Sequence, residues 1–129
     1  NYPFWQHNSS RITKIGTAGG WVKASSGYSF KNTQNKIKII LDNIKGNREV
    51  DEGLFERKYQ FYDAVFLNVL YYENEYGPQL FEDFYKRNTA EVAFQFLDEQ
   101  STISQDLRII WSLRSFKFVK AFFRCLFSR

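Results

Sequence analysis

The chain has one cysteine, Cys125, one histidine, His7, and no methionine. A single thiol cannot close an internal disulfide, and one thiol with one imidazole cannot build a Cys/His metal cluster. The sequence therefore reads as a metal-free protein of a reducing, cytoplasmic compartment. Long hydrophobic runs are also missing. No stretch of about 18 apolar residues is available to span a bilayer, and no basic-apolar-small pattern opens the chain as a signal peptide would. A Gly-x-Gly-x-x-Gly fingerprint after a strand is absent as well, so nothing here would hold the adenine half of a dinucleotide. The chain opens at Asn1 and runs at once into Tyr2-Pro3-Phe4-Trp5, which reads as an excised fragment of something longer.

What is present in quantity is apolar and aromatic. Of 129 residues, 43% are hydrophobic and 19% aromatic, with 14 phenylalanines, enough for the core of one domain or for a surface meant for something apolar. Charge is uneven. Residues 1–99 carry 12 Lys/Arg against 13 Asp/Glu, whereas residues 100–129 carry six against one, so the net charge of +4 comes from the tail. No nucleic-acid recognition motif accompanies the basic tail, and its interleaved phenylalanines suit lipid or a packed core better than a phosphate backbone, so no nucleic-acid partner is expected.

Along the chain, Arg11-Ile12-Thr13-Lys14-Ile15 alternates polar and apolar and predicts one short β-strand, alone here and open to pairing with another copy. Gly16 to Gly27 is crowded with small residues and predicts a loop built for close backbone approach. Phe30, Thr33, Ile37, Ile40, Leu41 and Ile44 then recur at helical spacing, predicting a helix over Tyr28–Lys45 that Gly46 terminates. A second helix is predicted over Glu52–Glu75, apolar nearly all round from Phe61 to Tyr72. Gly77-Pro78 opens a short helix carrying Leu80, Phe81, Phe84 and Tyr85. Asn88 with Glu91, and Thr102 with Gln105, have capping-box spacing for two more helices, the first through Val92, Phe96 and Leu97, the second through Ile103, Leu107, Ile110 and Trp111. A last helix carries Phe116, Val119, Phe122, Phe123 and Leu126. The expected fold is mainly α, about six helices in a compact bundle preceded by one strand and a glycine-rich loop, with a division into residues 1–27 and 28–129.

The chemically informative segment is Lys14-Ile15-Gly16-Thr17-Ala18-Gly19-Gly20-Trp21-Val22-Lys23-Ala24-Ser25-Ser26-Gly27-Tyr28-Ser29-Phe30. Small residues before a helix let backbone N–H groups face an anion, and the helix start adds partial positive charge. Such loops are more often only loops. This run, however, resembles the second flavin-binding motif of the flavin-dependent lycopene cyclases, a Gly-x-Ala-Gly-Gly stretch followed by Val-Lys-x-Ser/Thr-x-Gly-Tyr. Tyr2-Pro3-Phe4-Trp5 upstream, and Phe96-Leu97-Asp98-Glu99-Gln100 with Asp106-Leu107 downstream, are similar to the same family, so the resemblance spans nearly the whole chain. It implies that Gly16, Thr17, Ala18, Gly19 and Gly20 approach the ribityl-pyrophosphate part of FAD, with Ser25, Ser26, Gly27 and Tyr28 near the isoalloxazine ring. Many relatives have proline where Ala24 stands, which leaves this loop less pre-organised. Related hydroxylases usually have aspartate where Thr17 stands, which argues against that branch.

The reaction implied is ring closure at the ends of lycopene to give β-carotene. A carboxylic acid protonates a terminal double bond, and reduced FAD, generated with NADPH, stabilises the carbocation without net redox change. The family's acid lies in a Phe-Leu-Glu-Glu-Thr-like segment upstream of anything in this sequence. Phe96-Leu97-Asp98-Glu99-Gln100 only looks like it, at the end of a helix where adjacent acids are solvated or capping groups. No catalytic residue is therefore assigned, and no metal ligand. The partners implied are the FAD-binding N-terminal part of the same protein and lycopene. His7, in a polar turn, and Cys125, a small core residue beside Arg124, receive no role.

Lys117, Lys120 and Arg124 share one face of the last helix, which can lie on anionic lipid or be a solvated face over packed phenylalanines. Competing readings are a fragment of another FAD-dependent prenyl reductase or hydroxylase, and a non-enzymatic helical module that binds membranes or proteins.

Overall fold

The computed structural model describes residue 9, residues 12–113 and residues 115–127. The Tyr2-Pro3-Phe4-Trp5 cluster, His7 and Arg11 lie outside the described residues. The fold is mainly α. Six α-helices are present among the described residues: α1 Phe30–Lys45, α2 Arg57–Tyr72, α3 Gly77–Arg87, α4 Ala90–Leu97, α5 Ile103–Ser112 and α6 Phe116–Phe127. The strand expected over Arg11–Ile15 is not formed among these residues, where only an isolated antiparallel bridge between Ser9 and Ile12 occurs. Ile12 and Ile15 are exposed, so the alternation finds no sheet to bury its apolar side.

The chain divides into two compact units, Asn1–Glu56 and Arg57–Arg129, so the glycine loop and α1 belong together. In the first unit α1 ends at Lys45, as its periodicity predicts, but begins at Phe30 because residues 24–26 form a turn. Its inward face is polar. Asn32, Lys36 and Asn43 are buried, whereas Phe30, Ile37, Leu41 and Ile44, four of the residues whose spacing predicts the helix, are exposed. The inversion has a hydrogen-bonding cause. Asn32 Nδ2 donates to the Trp21 carbonyl at 3.0 Å, and Asn43 Nδ2 donates to the carbonyls of Glu52 (2.8 Å) and Val50 (3.3 Å). Lys36, only 3% exposed, donates to the Leu54 carbonyl with its ammonium 4.5 Å from the centre of the Phe55 ring. These side chains tie the loops before and after α1 to it, and each satisfies backbone carbonyls that no sheet or helix partners.

The second unit is built on aromatic packing. Helix α2 packs mainly on α6. It runs from Arg57 to Tyr72, shorter than Glu52–Glu75, because residues 50–53 turn on Gly53 at φ 74° and Asn74–Tyr76 tightens into a 3-10 turn. Phe66 of α2 is the hub. Its ring meets Phe81 and Phe84 of α3, Phe96 of α4 and Phe118 of α6 at centroid distances of 5.8–6.3 Å. Thr102 and Gln105 form the predicted capping box of α5. The other box shifts by one residue. Thr89 caps α4 by accepting from Val92 N–H, while Asn88 is buried and donates to the Phe84 carbonyl and Ser112 Oγ, both within 2.9 Å. That amide joins the end of α3 to the end of α5.

Truncating Phe66 removes ring contacts from three helices at once, so Phe66→Ala is expected to destabilise the second unit by about 3–5 kcal/mol. Urea unfolding followed by near-ultraviolet circular dichroism measures this. A loss below about 1 kcal/mol would show that the hub is not central to the packing.

Candidate functional site

The predicted flavin loop consists of two turns. Gly16–Gly19 form a 3-10 turn closed by Gly20 in the left-handed region, with Gly20 N–H donating to the Thr17 carbonyl and Trp21 N–H to that of Gly16, both at 3.0 Å. The second turn folds over Lys23, whose carbonyl accepts from Gly27 N–H at 2.7 Å and Ser26 N–H at 3.4 Å. Tyr28 then closes it through its carbonyl to Lys23 N–H at 2.9 Å. Ser25, Ser26, Gly27 and Tyr28 therefore lie in a turn before α1, not in its first turn. Residues Trp21–Lys23 connect the two turns, and Asn32 holds the Trp21 carbonyl, so α1 positions the loop.

The glycines serve different needs. A Cβ on Gly19 would lie 2.2 Å from the Lys14 carbonyl oxygen and 3.1 Å from Trp21 Nε1, so this glycine is required by the chain's own packing. Gly16 and Gly27, at φ 62° and 72°, have open space where a side chain would be. Backbone can be approached from outside at these two positions, and Thr17 and Ala18, between Gly16 and Gly19, are exposed. Gly16 and Gly27 thus face open space, while Gly19 faces protein. Trp21 is buried and its indole N–H has no partner among the described residues.

Phe96-Leu97-Asp98-Glu99-Gln100 closes α4. Asp98 N–H donates to the Phe94 carbonyl and Gln100 N–H to the Gln95 carbonyl, with Glu99 at φ 59° between them. This is a helix stop, in which Phe96 and Leu97 are buried and the two acids sit at the negative end of the helix.

A different acid was not singled out by its chemistry in the sequence. Asp106 is 1% exposed and accepts from three side chains: the Ser101 hydroxyl, Lys58 Nζ at 3.3 Å and Tyr62 OH at 3.4 Å. Lys58 Nζ also donates to the Ser101 carbonyl at 2.9 Å, as does Tyr59 OH at 3.0 Å. Burial opposes the Lys58 charge, but hydrogen bonds with Tyr59 and Asp106 outweigh it and raise its pKa above the ordinary lysine value. Burial also pushes the Tyr62 phenol up, and the Asp106 charge adds to that effect. The available signal was helical phase: Asp106, Ile109 and Leu113 share a buried face, opposite the competing face of Ile103, Leu107 and Trp111, which is exposed.

Between α2, α4, α5 and α6 lies a cavity of about 10 Å³ lined by Tyr62, Phe66, Phe96, Ile109, Leu113 and Phe122. It has room for about one water, and a C40 polyene does not fit there. On α6, Phe118 and Ala121 pack inward, while Phe116, Val119, Phe123, Leu126 and Phe127 are exposed. Its basic residues are partly engaged: Lys117 pairs with Glu73 at 3.5 Å and Arg124 donates to Asn68 and lies over the Tyr72 ring, whereas Lys120 is exposed. Cys125 donates to the Ala64 carbonyl, and burial raises its pKa despite Arg124, which leaves it a poor nucleophile at neutral pH. No helix among the described residues is long and apolar enough to cross a membrane, and no group of three metal-ligating side chains occurs among them.

Comparison with known protein families, with curated proteins and with solved structures finds no match to this chain.

The Asp106 knot carries two predictions. Asp106→Ala leaves a lysine and two hydroxyls without their acceptor and is expected to cost about 3 kcal/mol or more in urea unfolding, with Asp106→Asn milder. Lys58 and Tyr62 both have raised pKa values in the fold, so their contribution is complete below about pH 10 and is lost as pH rises through the folded-state values. Unfolding midpoints should hold from pH 7 to about pH 10 and then fall, with a shallower fall in Tyr62→Phe; an identical alkaline profile in that variant would remove Tyr62 from the account.

Proposed function

We propose that this chain is the C-terminal portion of a flavin-dependent lycopene cyclase, whose whole protein closes the end rings of β-carotene. The run from Lys14 to Phe30 carries the reading. Its order of residues resembles the family's flavin motif, and its local geometry leaves backbone open to approach at Gly16 and Gly27 while α1 fixes the loop through Asn32.

In this reading Gly16, Thr17, Ala18 and Gly20 line the ribityl-pyrophosphate of FAD, and Ser25, Ser26, Gly27 and Tyr28 border the ring. Gly19 supports the turn from behind. Reduced FAD, with NADPH as its reductant, supplies electron density toward the carbocation of the cyclising polyene. The acid that protonates lycopene belongs to the upstream part of the protein, and the cavity among α2, α4, α5 and α6 is too small for the polyene. The helices of the second unit form a scaffold, and the exposed Phe116, Phe123 and Phe127 of α6 beside Lys120 suit a cytoplasmic enzyme that sits peripherally on the membrane holding its substrate. The chain alone is expected to be inactive and flavin-free, because the half-site offers few of the contacts that FAD requires.

Two measurements test the proposal. The intact gene, expressed in lycopene-accumulating cells, should turn them from red to orange with β-carotene as product. Ala18→Glu, which places a negative charge on an exposed residue of the loop, should weaken FAD binding by the intact enzyme roughly tenfold or more while leaving the thermal unfolding of this chain unchanged. Unchanged lycopene together with a flavin-free intact protein would favour the reading of a non-enzymatic binding module, for which the exposed faces of α5 and α6 supply the surface.

A further inference from the structure

Helix α1 presents a second apolar surface that the flavin reading leaves unused. Phe30, Ile37, Leu41 and Ile44 are 74%, 45%, 50% and 57% exposed. At 100° per residue they fall within about 60° of one another around the axis over four turns, with the exposed Gln34 between Phe30 and Ile37. Lys31, Lys38 and Lys45 follow three of these residues in the sequence at heptad spacing, all are exposed, and they form a parallel row along one edge of the stripe. Asp42 is the single acid of the helix. The opposite face is occupied by Asn32, Lys36 and Asn43 in their contacts to the surrounding loops, so the helix cannot rotate to hide its apolar side without breaking them.

We propose that α1 docks on an anionic lipid surface, with Phe30, Ile37, Leu41 and Ile44 at the acyl boundary and the three lysines on the headgroup phosphates. The occupant is argued from charge. An apolar stripe edged by a row of cations with one acid matches an interface that is apolar inside and negative outside, and such a helix lies in the membrane plane without crossing it. The lysines reach outward while their stems cover the edge of the stripe. This surface is independent of α6 and of any flavin chemistry.

The test uses the full chain with Cys125→Ser, and an environment-sensitive fluorophore on a cysteine at position 41 (L41C) or, as a control off the stripe, at position 42 (D42C). Vesicles of 30% phosphatidylserine in phosphatidylcholine are compared with phosphatidylcholine alone. The expected result is a fluorescence rise of several-fold with a blue shift at position 41, a smaller rise at position 42, and little change with neutral vesicles. Replacing Lys31, Lys38 and Lys45 together by Gln should weaken the anionic-vesicle response roughly tenfold or more, with circular dichroism confirming that α1 remains. Vesicle binding with no response at position 41 would overturn the proposal in favour of α6 alone. A rise that depends on protein concentration without vesicles would assign the stripe to a second copy, and a rise on adding the upstream part of the protein, without lipid, to that part.

Discussion

A charge taken out of water must be met on all sides, and in each unit one such charge fixes how the chain is arranged. In the first unit it is the Lys36 ammonium, accommodated by the Leu54 carbonyl and the face of Phe55. In the second it is the Asp106 carboxylate, surrounded by Ser101, Lys58 and Tyr62. Either partner left alone would be penalised by several kcal/mol. Once Lys36 faces inward, Asn32 and Asn43 are brought to the same side of α1, and the loops whose carbonyls they meet must lie against that side. Once Asp106 faces inward, the N-terminus of α5 is held against the first turn of α2, and Ile109 and Leu113 are turned into the aromatic core.

The cost appears on the outside. With its polar side committed, α1 shows its isoleucines and a phenylalanine to the surroundings, and α5 shows Ile103, Leu107 and a Trp111 that is 68% exposed. Helices α1, α5 and α6 each leave large apolar side chains exposed. The phenylalanines of the second unit divide by place: Phe66, Phe84, Phe96 and Phe118 build its interior, and Phe116, Phe123 and Phe127 are exposed on α6.

Helical periodicity was enough to locate all six helices, since the apolar spacing, the Gly46 stop, Gly77-Pro78 and the Thr102 box are local signals. It could not say which side of a helix faces inward. Phe30, Ile37, Leu41 and Ile44 make the obvious core stripe of α1, yet hydrogen bonds from Asn32 and Lys36 to carbonyls 11 and 18 residues away decide the orientation. Asn88 illustrates the same limit: its spacing to Glu91 suited a cap, but a buried amide that joins α3 to α5 leaves capping to Thr89. In the candidate loop the small residues were legible as a place of close approach. That Gly19 is approached by Lys14 of its own chain, while Gly16 and Gly27 face open space, depends on three-dimensional packing.

The proposed function requires that the loop from Gly16 to Tyr28 contact FAD in the parent protein. Hydrogen exchange in the intact enzyme, read on peptides covering residues 14–30 with and without FAD, measures that directly. Protection should appear across Gly16–Ala18 on binding, with less change at Gly19, Ser26 and Gly27, whose N–H groups already donate to the carbonyls of Ile15 and Lys23. Tight FAD binding that leaves exchange over residues 14–30 unaltered would contradict the account.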